Sequence, residues 1–413
     1  MKVLCFGSCN IDYVYSLNSI VVNGETTSAQ KMETFPGGKG LNQSIACAKA
    51  GAKVYHAGLV GFDGKILIDA LTESNVKLDY LGRTESNSGH AIIQLDKDGN
   101  NAIVIYAGAN FLVTEEYVDS VLENFGVGDF ILLQNEINGI DYIIDRAYEK
   151  GIKIVFNPAP YNALAQKVDL SKISYLILNE VEAQGFAGKG SPEQNLEYIC
   201  KKYPALKVVL TIGGDGALFS EGKGVLYQPA FKVDVVDTTA AGDTFIGYFI
   251  AETVAGKDAQ SAMKTASVAA ALSVSKKGAS CSIPDMATVK DAVSQLKSVQ
   301  GKNSKTAILK RKIDEYLDGN IKDATVKGLS SKLGYSESYT SKLVISLTGV
   351  SFIELLKTKR IDLAANLLVQ TDVPVGEIIL DVGYENHSFF RKTFTKRYGI
   401  TPNKYRKLKT EKK

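Results

Sequence analysis

The sequence comprises 413 residues, which is enough for roughly two or three domains of ordinary size. Hydrophobic residues make up 45% and charged residues 23%, which is the composition of a globular protein. No stretch near twenty residues is free of charges, as a membrane span would require, and the apolar run at the N-terminus is too short for a signal peptide.

The cysteine content points to a reducing compartment. Five cysteines form an odd number, and the sequence contains no Cys-x-x-Cys pair and only three histidines. This pattern argues against a disulfide framework and against a zinc site, and it favours free thiols. We therefore expect a cytoplasmic protein.

The net charge of +3 conceals an asymmetry along the chain. From residue 300 onward there are 22 Lys and Arg against 12 Asp and Glu, whereas the part before it has 26 against 33. An acidic body followed by a basic module suggests two modules with different partners, and nucleic acid is a candidate partner of the basic one. A solvated surface rich in lysine explains the charge alone equally well.

Short apolar runs alternate with helical patterns through the first 299 residues. Strands are predicted at Lys2–Gly7, Lys53–Val60, Ala91–Leu95, Ala102–Tyr106, Phe130–Leu133, Lys153–Phe156, Tyr175–Leu178 and Lys207–Thr211. Helices are predicted at Gly40–Gly51, Gly64–Ser74, Ala241–Ala255, Ala259–Ser275 and Met286–Val299. Continuous apolar strands beside helices are typical of a parallel sheet that is covered on both faces. The polar stretch 300–306 is predicted to be a linker, so that 1–299 and 307–413 form separate domains.

The strongest chemical pattern is the run Asp237-Thr-Thr-Ala-Ala-Gly-Asp243 ahead of a long predicted helix. Gly242 and the alanines before it let the backbone approach an anion, which the N–H groups and the dipole of the helix start would attract. Asp243 lies in the first helical turn, where its carboxylate could accept a proton from a hydroxyl that attacks a phosphoryl group. An isolated Asp at this place would more commonly be a helix cap.

This run resembles the C-terminal signature of the PfkB/ribokinase family of carbohydrate kinases. The resemblance implies that Asp243 is the catalytic base. It also implies that Ala240, Ala241 and Gly242 form an anion hole for the transferred phosphoryl group. The family has a three-layer α/β/α sandwich with a small β lid, and the resemblance covers roughly residues 1–298.

Further motifs resemble the sugar-binding blocks of the same family. The run Gly37-Gly38-Lys39-Gly40-Leu41-Asn42-Gln43 places glycines where backbone can approach a ligand closely. The resemblance assigns sugar contacts to Gly38, Lys39 and Asn42, and adds Asn10, Asp12, Glu136 and Asp243. Val21–Lys31 would belong to the lid, which often forms a homodimer in this family.

The resemblance also implies nucleotide and metal sites. ATP would be bound at Asn179, Thr211, Gly213, Gly216 and Ser267. Magnesium and its waters would lie near Glu182. Potassium would be held largely by backbone carbonyls at the positions Asp237, Thr239, Ser273, Lys276, Gly278 and Ser282.

Residues 307–413 contain two helix-turn-helix patterns, each with a Gly-Tyr turn, at Gly334-Tyr335 and Gly383-Tyr384. Asn386 is predicted to cap the second recognition helix, and Phe390 and Phe394 are predicted to face the core. The exposed positions are candidate DNA contacts: Ser338, Ser341 and Lys342 in the first unit, and His387, Ser388, Arg391 and Lys392 in the second. Lys396 and Arg397 are predicted to touch phosphates or solvent. A helical bundle for protein contact is the alternative.

The closing run Phe389-Phe-Arg-Lys392…Tyr398-Gly-Ile-Thr-Pro402…Tyr405-Arg406 is similar to that of the AraC family of transcription regulators. The resemblance implies sequence-specific binding to double-stranded DNA. Together, the two resemblances predict a ribokinase-type enzyme that transfers phosphate from ATP to a sugar, joined to a DNA-binding module. A sugar-sensing regulator with a non-catalytic kinase fold, or a kinase for another sugar or a nucleoside, remains open.

Overall fold

The computed structural model describes residues 1–97, 99–222, 224–295, 305–348, 350–371 and 373–410. The chain divides into two compact units, Met1–Gln300 and Gly301–Lys413. Most of the predicted linker, and the end of the helix predicted up to Val299, lie outside the described residues.

The first unit contains thirteen strands among its described residues. They are β1 (Val3–Phe6), β2 (Asn10–Ser16), β3 (Lys31–Gly37), β4 (Val54–Val60), β5 (Lys77–Arg83), β6 (Gly89–Leu95), β7 (Asn101–Tyr106), β8 (Phe130–Gln134), β9 (Lys153–Asn157), β10 (Tyr175–Asn179), β11 (Lys207–Thr211), β12 (Ala217–Ser220) and β13 (Val225–Gln228). Nine of them form one sheet in the order β13-β12-β11-β10-β9-β8-β1-β4-β5. The sheet is parallel from β11 to β5. Strand β12 is antiparallel to both of its neighbours, β11 and β13.

Helices cover both faces of this sheet. They are α1 (Lys39–Lys49), α2 (Lys65–Glu73), α3 (Glu115–Leu122), α4 (Ile140–Glu149), α5 (Ala163–Lys167), α6 (Glu180–Ala187), α7 (Pro192–Lys202), α8 (Ala241–Val254), α9 (Ala259–Val274) and α10 (Met286–Gln295). Each face has its own apolar core, and all five residues of β8 are buried. The predicted three-layer α/β/α sandwich is confirmed, since continuous apolar strands require cover on both sides.

A second, smaller sheet has the order β3-β2-β6-β7 and forms the β lid. Strands β2 and β3 were not predicted from the sequence, because most of their residues are partly or fully exposed and lack a continuous apolar run. Residues 21–30 connect these two strands. On the edge strand β7, the side chains of Ile103, Val104, Ile105 and Tyr106 are each more than half exposed.

The second unit is wholly helical in its described part. Its helices are α11 (Lys305–Gly319), α12 (Val326–Leu333), α13 (Glu337–Thr348), α14 (Phe352–Gln370), α15 (Val375–Asp381), α16 (His387–Tyr398) and α17 (Pro402–Thr410). Two separate cores form, one around α11 to α13 and one around α15 to α17. The long helix α14 contributes Phe352 and Leu356 to the first core and Ile361 and Leu368 to the second. Both predicted helix-turn-helix units are therefore present.

One turn of α14 ties the two helix-turn-helix units together. The guanidinium group of Arg360 donates to the backbone oxygens of Ile321 at 2.9 Å and Lys322 at 2.7 Å in the first helix-turn-helix unit, and to that of Gly383 at 2.9 Å in the second.

Within the described residues of the whole chain, no helix has both the length and the apolar character of a membrane span.

Candidate active site and candidate nucleic-acid interface

Polar side chains collect at the carboxyl ends of the parallel strands. Asn157, Asn179 and Thr211 are the last residues of β9, β10 and β11, and Glu136 follows the end of β8. Since these strands are neighbours in one parallel sheet, their carboxyl ends lie along the same edge. This edge is where open α/β sheets bind ligands.

Helices α1 and α8 bring two further groups to this edge. The Nε2 of Gln43 donates to Oδ1 of Asp243 at 2.9 Å, and one turn further along both helices the Sγ of Cys47 donates to the backbone oxygen of Gly247 at 3.2 Å. Both pairs are 200 residues apart, so the helices run side by side in the same direction. A Cβ at Gly247 would lie only 2.3 Å from that of Ala46, which explains the glycine at this contact. The N-terminal ends of α1 and α8, which carry the positive ends of the helix dipoles, consequently lie next to each other.

The Asp243 carboxylate is held by amide groups on both of its oxygens. Gln43 donates to Oδ1, and the Nδ2 of Asn42 donates to Oδ2 at 3.1 Å. The side chain is 7% exposed and lines a cavity of about 220 Å³ together with Lys39. The pKa of Lys39 is raised, chiefly by the charge of the Asp243 carboxylate. Burial opposes this rise, whereas the charges of Glu136 and Glu182 add to it. The predicted base and the predicted cation therefore share one cavity.

The start of α8 is shaped for an anion. Ala240 has a left-handed backbone (φ 59°), and its oxygen accepts the first intrahelical bond, from the N–H of Thr244 at 2.8 Å. The N–H groups of Gly242 and Asp243 precede that bond, at the positions that have no partner inside a helix. Ala240, Ala241 and Gly242 all line the cavity, as an anion hole at this place requires.

The predicted sugar contacts lie beside this cavity. The Oε2 of Glu136 accepts from the backbone N–H of Lys39 at 3.0 Å and from the hydroxyl of Ser8 at 2.5 Å. Asp12 lies on β2 of the lid, where burial, and then the charge of Glu136, raises its pKa to about 7. Burial also raises the pKa of Glu136. Two carboxyl groups in one desolvated place are thus available as partners for hydroxyl groups.

Gly37 and Gly38, beside the predicted sugar contacts, leave no room for a side chain. A Cβ at Gly38 would lie 2.8 Å from the backbone nitrogen of Asn10, and the backbone φ of Gly38 is 90°. A Cβ at Gly37 would overlap the carboxylate of Asp12, at 2.1 Å from Oδ2. Asn10 itself is buried, and its Oδ1 accepts from the side chain of Asn110 at 2.7 Å.

A second, larger cavity of about 490 Å³ adjoins the first and is mostly apolar. The two cavities share Asn179, Thr211, Thr238, Ala241 and Gly242 as wall residues. All five predicted ATP positions line the larger cavity: Asn179, Thr211, Gly213, Gly216 and Ser267. The Ser267 hydroxyl is buried there without a hydrogen-bond partner in the described part of the chain. Size, apolar walls and an unused polar group fit a nucleotide.

Glu182 has a structural role in addition to its predicted one. Its carboxylate accepts from the backbone N–H and from the side-chain Nδ2 of Asn179, both at 2.9 Å, and so closes a capping box at the start of α6. It lines the smaller cavity, and burial raises its pKa. No cluster of three or more His, Cys, Asp or Glu side chains suited to a metal ion occurs among the described residues. A magnesium ion here would therefore rely on nucleotide phosphates and water.

The positions predicted for potassium come from two segments that meet. The Asp237 carboxylate accepts from the N–H and hydroxyl of Thr239 at 2.9 and 2.6 Å and from the N–H of Gly278 at 2.9 Å. Burial alone would raise the pKa of Asp237, but these hydrogen bonds lower it overall. The backbone N–H of Asp237 also donates to Val274, at 3.1 Å. The Asp237 side chain is thus occupied by protein donors.

The exposed faces of α13 and α16 form the candidate nucleic-acid interface. His387, Ser388, Arg391 and Lys392 are all exposed on α16, while Phe390 and Phe394 are buried. Asn386 caps the helix as predicted, accepting from the N–H of Phe389 at 2.9 Å. On α13, Ser338 and Lys342 are exposed, but Ser341 is only partly exposed because it borders the buried face.

Arg397 is exposed to solvent, one of its two predicted alternatives, and it is also paired within the protein. Its Nε and Nη2 each donate to Asp362 on α14 at 2.6 Å, so that a bidentate ion pair holds it against the protein. It is therefore not free to reach a phosphate in this arrangement, whereas Arg391 and Lys392 point outward from the first half of α16.

The fold and site define a nucleotide-dependent kinase of small hydroxyl compounds with an added helix-turn-helix domain, and comparisons with known proteins agree. The model of the pfkB family of carbohydrate kinases matches residues 1–286, and a helix-turn-helix domain of the AraC type matches residues 329–408. The chain belongs to the pfkB family of carbohydrate kinases.

Similar proteins include enzymes for two different pentoses. Ribokinase of Bacillus subtilis is 35% identical over 302 residues, which span 71% of this chain and 100% of that protein. Deoxyribokinase of Salmonella typhi is 31% identical over 300 residues, 69% of this chain and 96% of that protein. The structure of Arabidopsis thaliana ribokinase complexed with ribose and ATP is similar at a TM-score of 0.63 and 30% identity, covering 71% of this chain and 98% of that one.

Several residues of the site were not predicted. Ser8, Gln43, Asn110 and Thr238 contact or line it. Gln43 and Thr238 stood inside motifs recognised in the sequence, but neither was assigned a role of its own. Asn110 is 100 residues from its partner Asn10, so spacing along the chain carried no signal for it.

Proposed function

We propose that the protein transfers the γ-phosphoryl group of ATP to the O5 hydroxyl of D-ribose, with Asp243 as the catalytic base. One observation carries the proposal: Asp243 and Lys39 line a cavity at the N-terminal end of α8, and this cavity adjoins a second one large enough for a nucleotide. A hydroxyl group placed in the first cavity meets the carboxylate, and a phosphate placed between the two meets the helix start.

In this mechanism, Asp12, Glu136 and Asn42 orient the sugar through hydrogen bonds with its hydroxyl groups. The two carboxylates accept from the hydroxyls, and the amide of Asn42 can accept or donate. The buried oxygen Oδ1 of Asn42 has no partner in the described part of the chain and is free to accept one. Asp243 takes the proton of the attacking hydroxyl. The backbone N–H groups of Gly242 and Asp243, which follow the turn at Ala240 and Ala241, then stabilise the charge that develops on the phosphoryl group. Closure of the β lid over the sugar would exclude water.

Cofactor sites follow from the same arrangement. ATP would lie in the larger cavity, with Ser267, Thr211 and Asn179 as polar contacts, and Glu182 would face the waters of a magnesium ion. Magnesium supplies charge neutralisation on the phosphates when it is bound. Potassium would be bound where residues 237–239 meet residues 273–282, at carbonyl groups and the Ser282 hydroxyl, and would support the start of α8.

The test is a panel of phosphoryl-transfer assays on the full chain. ATP and Mg²⁺ are supplied with and without K⁺, against ribose, deoxyribose, fructose and ribonucleosides. We expect the highest kcat/KM with ribose and stimulation by K⁺. The Asp243→Asn variant should lose at least about 1,000-fold in kcat, while the exposed Asp234→Asn, which makes the same change in charge nearby, should retain activity.

Three other outcomes would change the conclusion. Turnover by Asp243→Asn at the rate of the unaltered protein would refute the assignment of the base. Preference for deoxyribose or a nucleoside would keep the enzyme class and change the substrate. Tight binding of ribose without any transfer would identify a sugar-sensing regulator with a non-catalytic kinase fold.

We also propose that the helical unit binds a specific DNA sequence and regulates transcription. The support is the exposed cluster His387, Ser388, Arg391 and Lys392 on the N-terminal half of α16, which is the half that recognition helices place in the major groove. Duplexes selected from a random library by the full chain provide the target. Arg391→Ala and Lys392→Ala should each weaken specific binding at least about 10-fold, whereas Lys312→Ala removes an exposed charge from α11 and should change it little. Unchanged binding in both α16 variants would refute the proposal.

Two further proposals concern assembly and location. The exposed apolar strand β7 supports a homodimer that forms through the lid, which sedimentation of the Ile103→Lys variant would test. A cytoplasmic location is supported by five cysteines that are all free.

A further inference from the structure

A chain of buried amide groups leads from the centre of the sheet to Asp243. The Nε2 of Gln134 donates to Oε1 of Gln43 at 2.7 Å, and the Nε2 of Gln43 donates both to Asp243 and, at 3.2 Å, to Oδ1 of Asn157. Asn157 in turn donates through Nδ2 to the backbone oxygen of Ile177 at 2.9 Å. Gln43 and Gln134 are fully buried and Asn157 nearly so.

The direction of every amide in this chain is determined at one end. A backbone oxygen can only accept, so the oxygen of Ile177 requires the Nδ2 of Asn157 to face it. The Oδ1 of Asn157 therefore faces Gln43, which must present its nitrogen to it and its oxygen to Gln134. As a result, Gln43 can only donate to Asp243, never accept from it.

We propose that Gln43 is a positioning residue of the phosphoryl-transfer site, which holds the Asp243 carboxylate in place by donating a hydrogen bond to its Oδ1. The inference rests on the proposed function, because it assigns a partner to the proposed base. Gln43 is buried behind Asp243, while the reacting groups would enter from the cavity on the other side. An amide N–H donor favours the ionised form of a carboxyl group, since a protonated oxygen accepts poorly.

Other charged and titratable groups surround the same carboxylate. Lys39 of α1 attracts it, whereas Glu136 after β8, Glu182 of α6 and the Cys5 thiol of β1 interact with it unfavourably when they are charged. Two carboxyl groups and one ammonium group thus act on the Asp243 carboxylate together with its amide donors. The contribution of Gln43 should accordingly be visible in the pH dependence of the reaction.

Two substitutions test the assignment in the full chain, with the best sugar of the panel above. Gln43→Met has a similar length and lacks the N–H group. It should lower kcat roughly 10- to 100-fold, the range that a hydrogen bond to a charged group supports. The KM for the sugar should change by less than about threefold, because the side chain lies behind the cavity wall. The acidic limb of the pH profile of kcat/KM should move to higher pH.

Gln43→Glu keeps the shape and replaces the donor by a second carboxyl group. Two carboxyl groups at this distance share a proton, so the acidic limb should move further towards high pH than it does in Gln43→Met. Cys47→Ala is the matched control. Cys47 lies one turn further along α1 and contacts α8 at Gly247, so the variant disturbs the same helix pair without touching Asp243. It should lower the unfolding temperature and leave the pH profile unchanged.

The outcomes separate this inference from the proposed function. If Asp243→Asn is inactive while Gln43→Met has the kcat and the pH profile of the unaltered protein, the positioning role is wrong and the proposed base stands. If Asp243→Asn retains full turnover, the proposed function fails first. If the Gln43 variants leave the pH profile unchanged and lose no more activity than Cys47→Ala does for an equal fall in unfolding temperature, the role of Gln43 is structural and the inference is overturned.

Discussion

Replacement of Asp12 by Asn is expected to stabilise the kinase unit in the absence of sugar at pH 8, although it removes a proposed sugar contact. Asp12 is half-buried on the lid strand β2, close enough to Glu136 for the two carboxyl groups to repel each other. The protein therefore bears the cost of a desolvated charge that the sugar hydroxyls would otherwise solvate. Such a conflict between stability and binding is common at functional sites.

The magnitude follows from the proton affinity of the side chain. Burial first, and Glu136 second, raise the pKa of Asp12 from 3.8 to about 7 in the folded protein. The unfolded chain thus releases this proton near pH 4 and the folded chain only near pH 7. Stability that is present below pH 4 is lost as the pH rises to 7, by up to about 4 kcal/mol at 1.36 kcal/mol for each tenfold change in proton affinity.

Calorimetric unfolding of the full chain at pH 5 and pH 8 measures the effect. The transition of the kinase unit is identified in a separate run as the one that ribose and ATP displace to higher temperature. Asp12→Asn should raise its midpoint by roughly 3–6 °C at pH 8 and by clearly less at pH 5. It should also weaken ribose binding at least about 10-fold. An equal rise at both pH values, or a fall at pH 8, would refute the argument from desolvation.

Three further substitutions test particular contacts. Gly247→Val should destabilise the kinase unit by at least about 2 kcal/mol, because the valine side chain would overlap the backbone of α1. As a control, Gly126→Ala faces open space and should cost less than about 0.5 kcal/mol. Equal costs would contradict the close packing of α1 on α8. Arg360→Met should destabilise the helical unit by about 1–3 kcal/mol, because three backbone oxygens, including that of Gly383, lose their donor. Arg360→Lys should not restore this stability, since a lysine ammonium group lacks the planar, forked donor geometry of a guanidinium group. Ser267→Ala should raise the KM for ATP severalfold without changing that for the sugar, and an unchanged KM for ATP would remove Ser267 from the nucleotide site.

Much of the architecture was predictable because local patterns and tertiary structure agree. Buried strands such as Phe130–Gln134 are continuous apolar runs, and turns such as Gly334 and Gly383 combine a left-handed glycine with a following tyrosine. The lid strands β2 and β3 were not predicted, because many of their residues are only partly buried and β2 also pairs with β6, which is distant in the sequence. The pairing partners of such strands are decided by long-range contacts.

For this protein, the sequence by itself determined the two-domain organisation, the sandwich and the residue types at the carboxyl ends of the strands, since hydrophobic periodicity and short motifs are local properties. Only the tertiary structure decided which of those residues meet. The hydrogen bond between Gln43 and Asp243, which are 200 residues apart, depends on how the helices pack, and so does the bidentate pairing of Arg397 with Asp362. No local pattern specifies such packing. The same holds for the raised pKa of Asp12, because desolvation is a property of the folded surroundings and not of the aspartate.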